Sequence, residues 1–211
     1  DSESMGLAVY DVRPQKSASV SSVLKADENG MENSVYRIRF DENGDICSIV
    51  DKRSDKELVK DGDAFGLVVF DNNESNVWPA WEVLKPVLDR TPARVKDDVK
   101  ISVEEVGDLR AVVRIEKKYG PSSFVQRIIL TDGAIDDRID IENEVDWRNK
   151  ASLLKYTLPM NLSAEEASYD LGLGNIRRGV STDLKYEVYA HQWADLTDDD
   201  RSYGVTVMND C

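Results

Sequence analysis

One histidine, His191, stands in a chain of 211 residues, so few conventional routes to acid–base or metal chemistry are open. A single imidazole excludes every multi-histidine metal site and leaves at most one side chain that titrates near neutrality without perturbation. His191 reads either as a structural side chain beside Trp193 or as a contact from a ligand-binding loop. The chain has no Gly-rich phosphate loop, no G-x-S-x-G and no H-E-x-x-H. Cys47 and Cys211 lie too far apart in sequence for a metal or redox motif and read as free thiols.

Carboxylates are plentiful, at 41 Asp and Glu. A glycosidase needs only two, one on each side of a sugar cleft, so abundance by itself identifies nothing. The run from Asp132 to Glu142 alternates as a strand does, which makes Asp136, Asp140 and Glu142 a solvated sheet face. Asp195 to Asp200 lacks the glycine and terminal Glu of a calcium loop and reads as a polar hairpin tip. Trp78 and Trp81 flank Pro79 in a long loop. Such flat rings either stack on the apolar faces of sugars or plug a core or an interdomain seam, and both readings stay open. Arg177-Arg178, after Gly174-Asn175, reads as a carboxylate-recognising pair or as a surface pair.

The elements that must hold these residues are strands. In Val35 to Phe40, Tyr36, Ile38 and Phe40 share one face and Arg37 and Arg39 the other; Asn43-Gly44 then supplies positive φ for a tight turn before a return strand over Ile46 to Val50. Further strands are expected over 66–70, 99–106, 109–119, 123–130, 135–147, 153–158, 168–173, 185–189 and 203–208, with Ile139, Ile141, Val145 and Trp147 on one parity. No amphipathic helix exceeds two turns. Many strands separated by frequent turns indicate a sandwich or barrel. Residues 6–12 read as a leading strand, 13–30 as a linker, and 71–92 as the longest irregular stretch.

A net charge of −14 opposes binding to DNA, RNA or an anionic membrane, which relies on clustered Lys and Arg. With 41% hydrophobic and 32% charged residues the composition is that of a folded globular protein. No apolar run is long enough to span a bilayer, and the first residues lack the basic-then-apolar layout of a signal peptide. The apolar run Tyr203 to Cys211 is expected to be a cut inside a longer polypeptide.

Four segments, in order, resemble the β-sandwich region that follows the catalytic domain in glycoside hydrolase family 38, the α-mannosidases. Met31 to Arg53, with Glu57-Leu58 after it, looks like the opening hairpin, in which an Asn-Gly turn leads into a Ser-Leu-x-Asp-Lys strand. Trp78-Pro-Ala-Trp-Glu82 is similar to Trp-Asp-Ala-Trp-Asp, with Pro79 in place of an acidic residue. Ile141 to Trp147, continuing through Leu153-Leu-Lys155, resembles the Val-Asp-Trp and Leu-Leu-Lys stretch. Ala190-His-Gln-Trp-Ala-Asp-Leu196, running on to Tyr203-Gly-Val205 and Asn209-Asp210, resembles His-Arg-Trp-Ala-Asp-Leu, with Gln192 replacing Arg.

The resemblance implies an all-β fold: a large antiparallel sandwich of the supersandwich, galactose mutarotase-like kind, truncated at its C-terminal end. Residues 1–22 would be a leading strand and linker from a preceding small β region, and 23–211 the first part of the sandwich. It implies a parent enzyme that hydrolyses α-mannosides with retention, using zinc and an aspartate nucleophile in a barrel outside this chain. The fragment itself would be inactive and hold no cofactor. Its partners would be the catalytic barrel and, through the full-length enzyme, α-mannosides. Trp78, Trp81, Arg177, His191 and Trp193 would face the substrate cleft or the domain seam. The alternative is a stand-alone carbohydrate-binding module.

Overall fold

The computed structural model describes residues 6, 7, 9, 11, 23–73, 78, 81–132, 137–180 and 184–210. They form sixteen short strands and one helical turn, and all of the strand pairs are antiparallel. Of the expected leading strand over 6–12, residues 6, 7, 9 and 11 are described and lie in no strand, while 8, 10 and 12 fall outside the described residues, as does Asp136. The chain divides into two compact units, each made from two separated stretches: Asp1–Lys56 with Val95–Asn149, and Glu57–Arg94 with Lys150–Cys211.

The first unit holds two sheets. One runs β1 (Lys25–Asp27), β2 (Gly30–Glu32), β3 (Tyr36–Phe40), β4 (Ile46–Asp51) and β5 (Lys56–Glu57) in chain order. The other is ordered β11 (Ile139–Asp146), β10 (Ser122–Thr131), β9 (Arg110–Tyr119), β8 (Asp97–Val106). In β3 the expected alternation holds: Tyr36, Ile38 and Phe40 are buried while Arg37 and Arg39 are exposed. Ile46 and Ile49 from β4 and Val113, Ile115, Phe124, Ile128 and Leu130 from the second sheet complete this core. The odd parity of edge strand β11 lies on the face of the buried β10 side chains, pairing Ile141 with Ile128 and Val145 with Phe124, although Asn143 and Val145 stay exposed, and Trp147 meets the Phe124 ring edge-on at 6.3 Å. Glu142 and Glu144 face out to solvent.

The β3–β4 hairpin closes differently from the Asn-Gly expectation. Gly44 alone takes positive φ, at 69°, while Asn43 does not. Gly44 N–H donates to Asp41 O at 2.9 Å, and the Asp41 carboxylate accepts from the N–H groups of Asn43 and Asp45. The result is a four-residue turn followed by a left-handed glycine, the arrangement of a longer hairpin loop with a bulge, and the pairing shifts register at Arg39/Phe40 accordingly.

The second unit carries a sheet ordered β12 (Ser152–Thr157), β6 (Gly66–Asp71), β7 (Ala93–Arg94), and a sheet ordered β14 (Asn175–Gly179), β13 (Glu166–Asp170), β15 (Trp193–Thr197), β16 (Gly204–Met208). Central β6 is buried at five of its six positions, which explains its unbroken apolar run. The turn of helix α1 (Lys85–Leu88), started by Pro86, packs Val87 against Val68 and Phe70.

One expected strand is absent. Residues 185–189 contribute only an isolated bridge at Lys185. The segment works instead as a strut: Tyr186 Oη donates to Val83 O at 3.2 Å, Glu187 pairs with Lys155, and Tyr189 O accepts from Arg178 Nη1 at 3.0 Å. The segment is thus tied to separate neighbours by two side chains and one carbonyl, and beyond the bridge at Lys185 it joins no ladder. Conversely, β1 forms inside the expected linker over 13–30, β2 begins at its end, and β14 and β15 form where no strand is expected: β14 is short and basic, and β15 mixes Trp with Asp and Thr.

Candidate functional site

The four-stranded sheet of the second unit gathers three of the five sequence candidates. Registers pair Arg177 with Ser168, Ser168 with Asp195, and Asp195 with Thr206, so these residues form one row across all four strands. Side chains alternate along each strand, so Trp193, two residues before Asp195, and Met208, opposite Trp193, lie on the same face. His191 has the parity of Trp193 and sits just before β15. The opposite face carries Ala167, Tyr169, Ile176, Ala194, Leu196 and Val207, together with Arg178.

Alternation also separates the two arginines. Arg177 is on the polar face, 3.4 Å from the Glu166 carboxylate. Arg178 points the other way, its guanidinium 5.3 Å from the centroid of the Tyr169 ring. Arg177 is exposed and Arg178 half-buried, so the two arginines do not act as one pair.

His191 is oriented by Asp170. Its Nδ1 lies 3.5 Å from Asp170 Oδ2, its N–H donates to Asp170 O at 2.9 Å, and its ring stands 6.5 Å from that of Tyr189. Asp170 in turn accepts from the backbone N–H groups of Gly172 at 2.9 Å and Gln192 at 3.0 Å. The Gly172 hydrogen bond, then that from Gln192 and the proximity of His191, hold the Asp170 carboxyl below the ordinary carboxylate range. His191 is half-exposed, and its backbone is hydrogen-bonded into the strand start.

Trp78 and Trp81 form a separate aromatic pair, with ring centroids 5.5 Å apart and planes tilted by 41°. They remain 56% and 79% exposed, which rules out the core-plug reading within this chain. The N–H groups of Trp81 and Glu82 both donate to Trp78 O, at 3.0 and 2.9 Å, and a shallow depression of about 420 Å³ lies against Trp78, Trp81 and Glu82. Tyr186 ties the residue after Glu82 to the strut that carries Tyr189.

The sequence alone does not single out Asp170, Ser168 or Thr206, and Asp195, expected at the start of a hairpin tip, lies instead within β15. The period-two series His191, Trp193, Asp195, Thr197 was the available signal, obscured because it mixes charged, polar and aromatic types. Asp198 and Asp199 form a hairpin tip, as expected, and serve structure: they accept from the N–H groups of Ser163 and Glu165 at 2.6 and 3.1 Å. Among the described residues, no group of three or more His, Cys, Asp or Glu side chains is placed to hold a metal ion.

The chain matches the glycosyl hydrolases family 38 C-terminal domain over residues 31–211. It is 31% identical over 206 residues to Alpha-mannosidase G of Dictyostelium discoideum, covering 90% of this chain and 18% of that protein. Alpha-mannosidase 2C1 of Mus musculus is 25% identical over 187 residues, covering 86% of this chain and 18% of that one. The chain thus spans less than a fifth of the length of these relatives. An alpha-mannosidase crystal structure from Enterococcus faecalis V583 superimposes with a TM-score of 0.70 at 13% identity, over 90% of this chain and 24% of that one. A second Enterococcus faecalis structure, a glycosyl hydrolase family 38 protein, gives 0.72 at 13% identity, over 92% and 26%. Both show the same fold.

Proposed function

The chain belongs to glycosyl hydrolase family 38, as its C-terminal domain, and from that premise we propose that it is the non-catalytic β-sandwich domain of an α-mannosidase-type enzyme. In this reading it packs on a zinc-dependent catalytic barrel outside the chain and helps to shape that barrel's sugar cleft. Retaining hydrolysis, the aspartate nucleophile and the zinc site belong to the barrel. The side chains described here do not fit a zinc site, and no step is assigned to zinc on them.

The observation that carries the reading is the convergence of Arg177, His191 and Trp193 on one face of a sheet whose other face is mostly apolar. Exposed Trp78 and Trp81 supply a second aromatic surface in the same unit. These residues can contact a sugar or a neighbouring domain, but they contain no pair of carboxylates set across a cleft as acid and nucleophile.

The test is hydrolysis of an aryl α-mannoside by the purified 211-residue chain with added zinc. No turnover is expected. In a protein carrying this chain together with the barrel, Trp78→Ala and His191→Ala should lower kcat/KM while zinc content stays unchanged. Turnover by the chain alone would overturn the assignment of catalysis to another domain.

A further inference from the structure

We infer that the polar face of the four-stranded sheet is a binding site for a neutral glycan, an α-linked mannoside, with Trp193 as stacking platform and Asp195 as hydroxyl acceptor. This rests on the α-mannosidase reading for the identity of the sugar, and on the geometry of the face for the site itself.

A pyranose has an apolar C–H face and a rim of hydroxyls, so a protein surface that binds it needs a flat aromatic ring beside fixed hydrogen-bonding groups. The sheet provides both in adjacent rows. Trp193 and Met208 are paired across β15 and β16, and Asp195 and Thr206 are paired two residues further along. Ser168 and Asn175 from β13 and β14 complete the lining of a shallow depression of about 450 Å³.

The Asp195 carboxylate is oriented before any ligand arrives. Thr197 Oγ1 donates to its Oδ1 at 2.7 Å and Thr206 Oγ1 to its Oδ2 at 2.8 Å. Gly204 faces Thr197 across the hairpin, and a Cβ there would stand 2.5 Å from Thr197 Oγ1, so the glycine leaves room for that hydroxyl. An ionised carboxylate has about four lone-pair sites, and these two hydrogen bonds occupy one on each oxygen. The others can accept vicinal sugar hydroxyls as charge-assisted hydrogen bonds.

The charge of the face argues for a neutral ligand. Arg177 lies against the Glu166 carboxylate, so its charge is compensated rather than left for a phosphate or a polyanion. The remaining acceptor, Asp195, repels anions and suits polyol hydroxyls.

The test follows the four indole N–H signals of the ¹⁵N-labelled chain, with Trp193 assigned by the signal lost in Trp193→Phe. Methyl α-mannopyranoside, then an α-linked mannobiose, should shift the Trp193 signal saturably and leave Trp147, which packs on Phe124, unmoved. Asp195→Asn and Thr206→Val, both near-isosteric, should each weaken binding about tenfold, the loss expected for one charge-assisted hydrogen bond, with unfolding midpoints close to the parent's. A Trp193 signal that stays still at the highest sugar concentration would overturn the site. So would shifts confined to Trp78 and Trp81, or unchanged affinity in Asp195→Asn. The zinc-supplemented hydrolysis assay on the same sample reports separately on the non-catalytic reading, so the two failures cannot be confused.

Discussion

The ammonium group of Lys117 donates to the carboxylate of Asp45 in the interior of the first unit, with both side chains withdrawn from solvent. Lys117 occupies an inward position of β9, in series with Ala111, Val113 and Ile115, and Asp45 follows the left-handed Gly44 at the mouth of the β3–β4 hairpin. The pair thus joins the hairpin to the facing sheet. A buried ion pair adds little net stability over an apolar pair, but breaking it strands a charge. Lys117→Met should therefore cost about 3–5 kcal/mol in urea unfolding. Adding Asp45→Leu should restore much of that loss. Additive losses in the double variant would show that the two charges do not act as a pair.

Asn33 is fully buried and its side chain ties down backbone on two sides: its Oδ1 accepts from Val35 N at 3.0 Å and Tyr36 N at 2.6 Å, and its Nδ2 donates to Thr131 O at 2.8 Å. Asn33→Ala should cost about 2–4 kcal/mol, since each buried group left unpaired costs about 1–3 kcal/mol. Arg148→Ala, which removes the exposed pair with Asp146, should stay within about 1 kcal/mol. Chemical denaturation of both variants ranks the two sites.

Gly44 and Gly62 both have positive φ, 69° and 77°, but only Gly44 is crowded. A Cβ at Gly44 would come within 2.6 Å of Ile115 Cγ2, whereas one at Gly62 meets nothing within 4 Å. Gly62→Ala should cost about 1–2 kcal/mol for the left-handed backbone alone. Gly44→Ala should cost more, by the about 1–3 kcal/mol of an overpacked core. Equal thermal shifts in the two variants would contradict this.

The carboxyl of Asp170 is held below its ordinary range by the Gly172 and Gln192 N–H groups and by His191. A depressed folded-state pKa contributes stability that is present above the unfolded value, about 4, and is lost as pH falls through the folded one. The stability gap between the parent chain and Asp170→Asn should accordingly be full at pH 5 and above and shrink below about pH 4. A gap of the same size at pH 3 and pH 6 would mean that ionisation of Asp170 is not its source.

Trp78→Ala and Trp81→Ala should leave the stability of the chain within about 0.5 kcal/mol, as expected for exposed side chains. Burial in a core would instead make each truncation cost about 3–5 kcal/mol. Calorimetry of the two variants decides between these.

Much of the architecture was legible because burial imposes simple periods. β3, β9 and β10 alternate against one hydrophobic face, and β6 is apolar from Gly66 to Phe70 because both its faces are covered there. The single histidine and the acidic balance also bounded the chemistry without any coordinates. Where the period carried mixed residue types the signal failed. β14 and β15 went unseen, and 185–189 resembled a strand because Tyr186, Val188 and its neighbours alternate while its backbone pairs with nothing beyond Lys185.

By itself the sequence determined the all-β class, the family through its ordered motifs, and the identity of the aromatic and basic candidates. Only the tertiary structure decided which of them meet. Strand register, which depends on hydrogen bonds between segments far apart in the chain, set Arg177, Trp193 and Asp195 on one face and turned Arg178 to the other. The same long-range packing put Lys117 into a core position, because its partner Asp45 is 72 residues away and no local pattern can announce it.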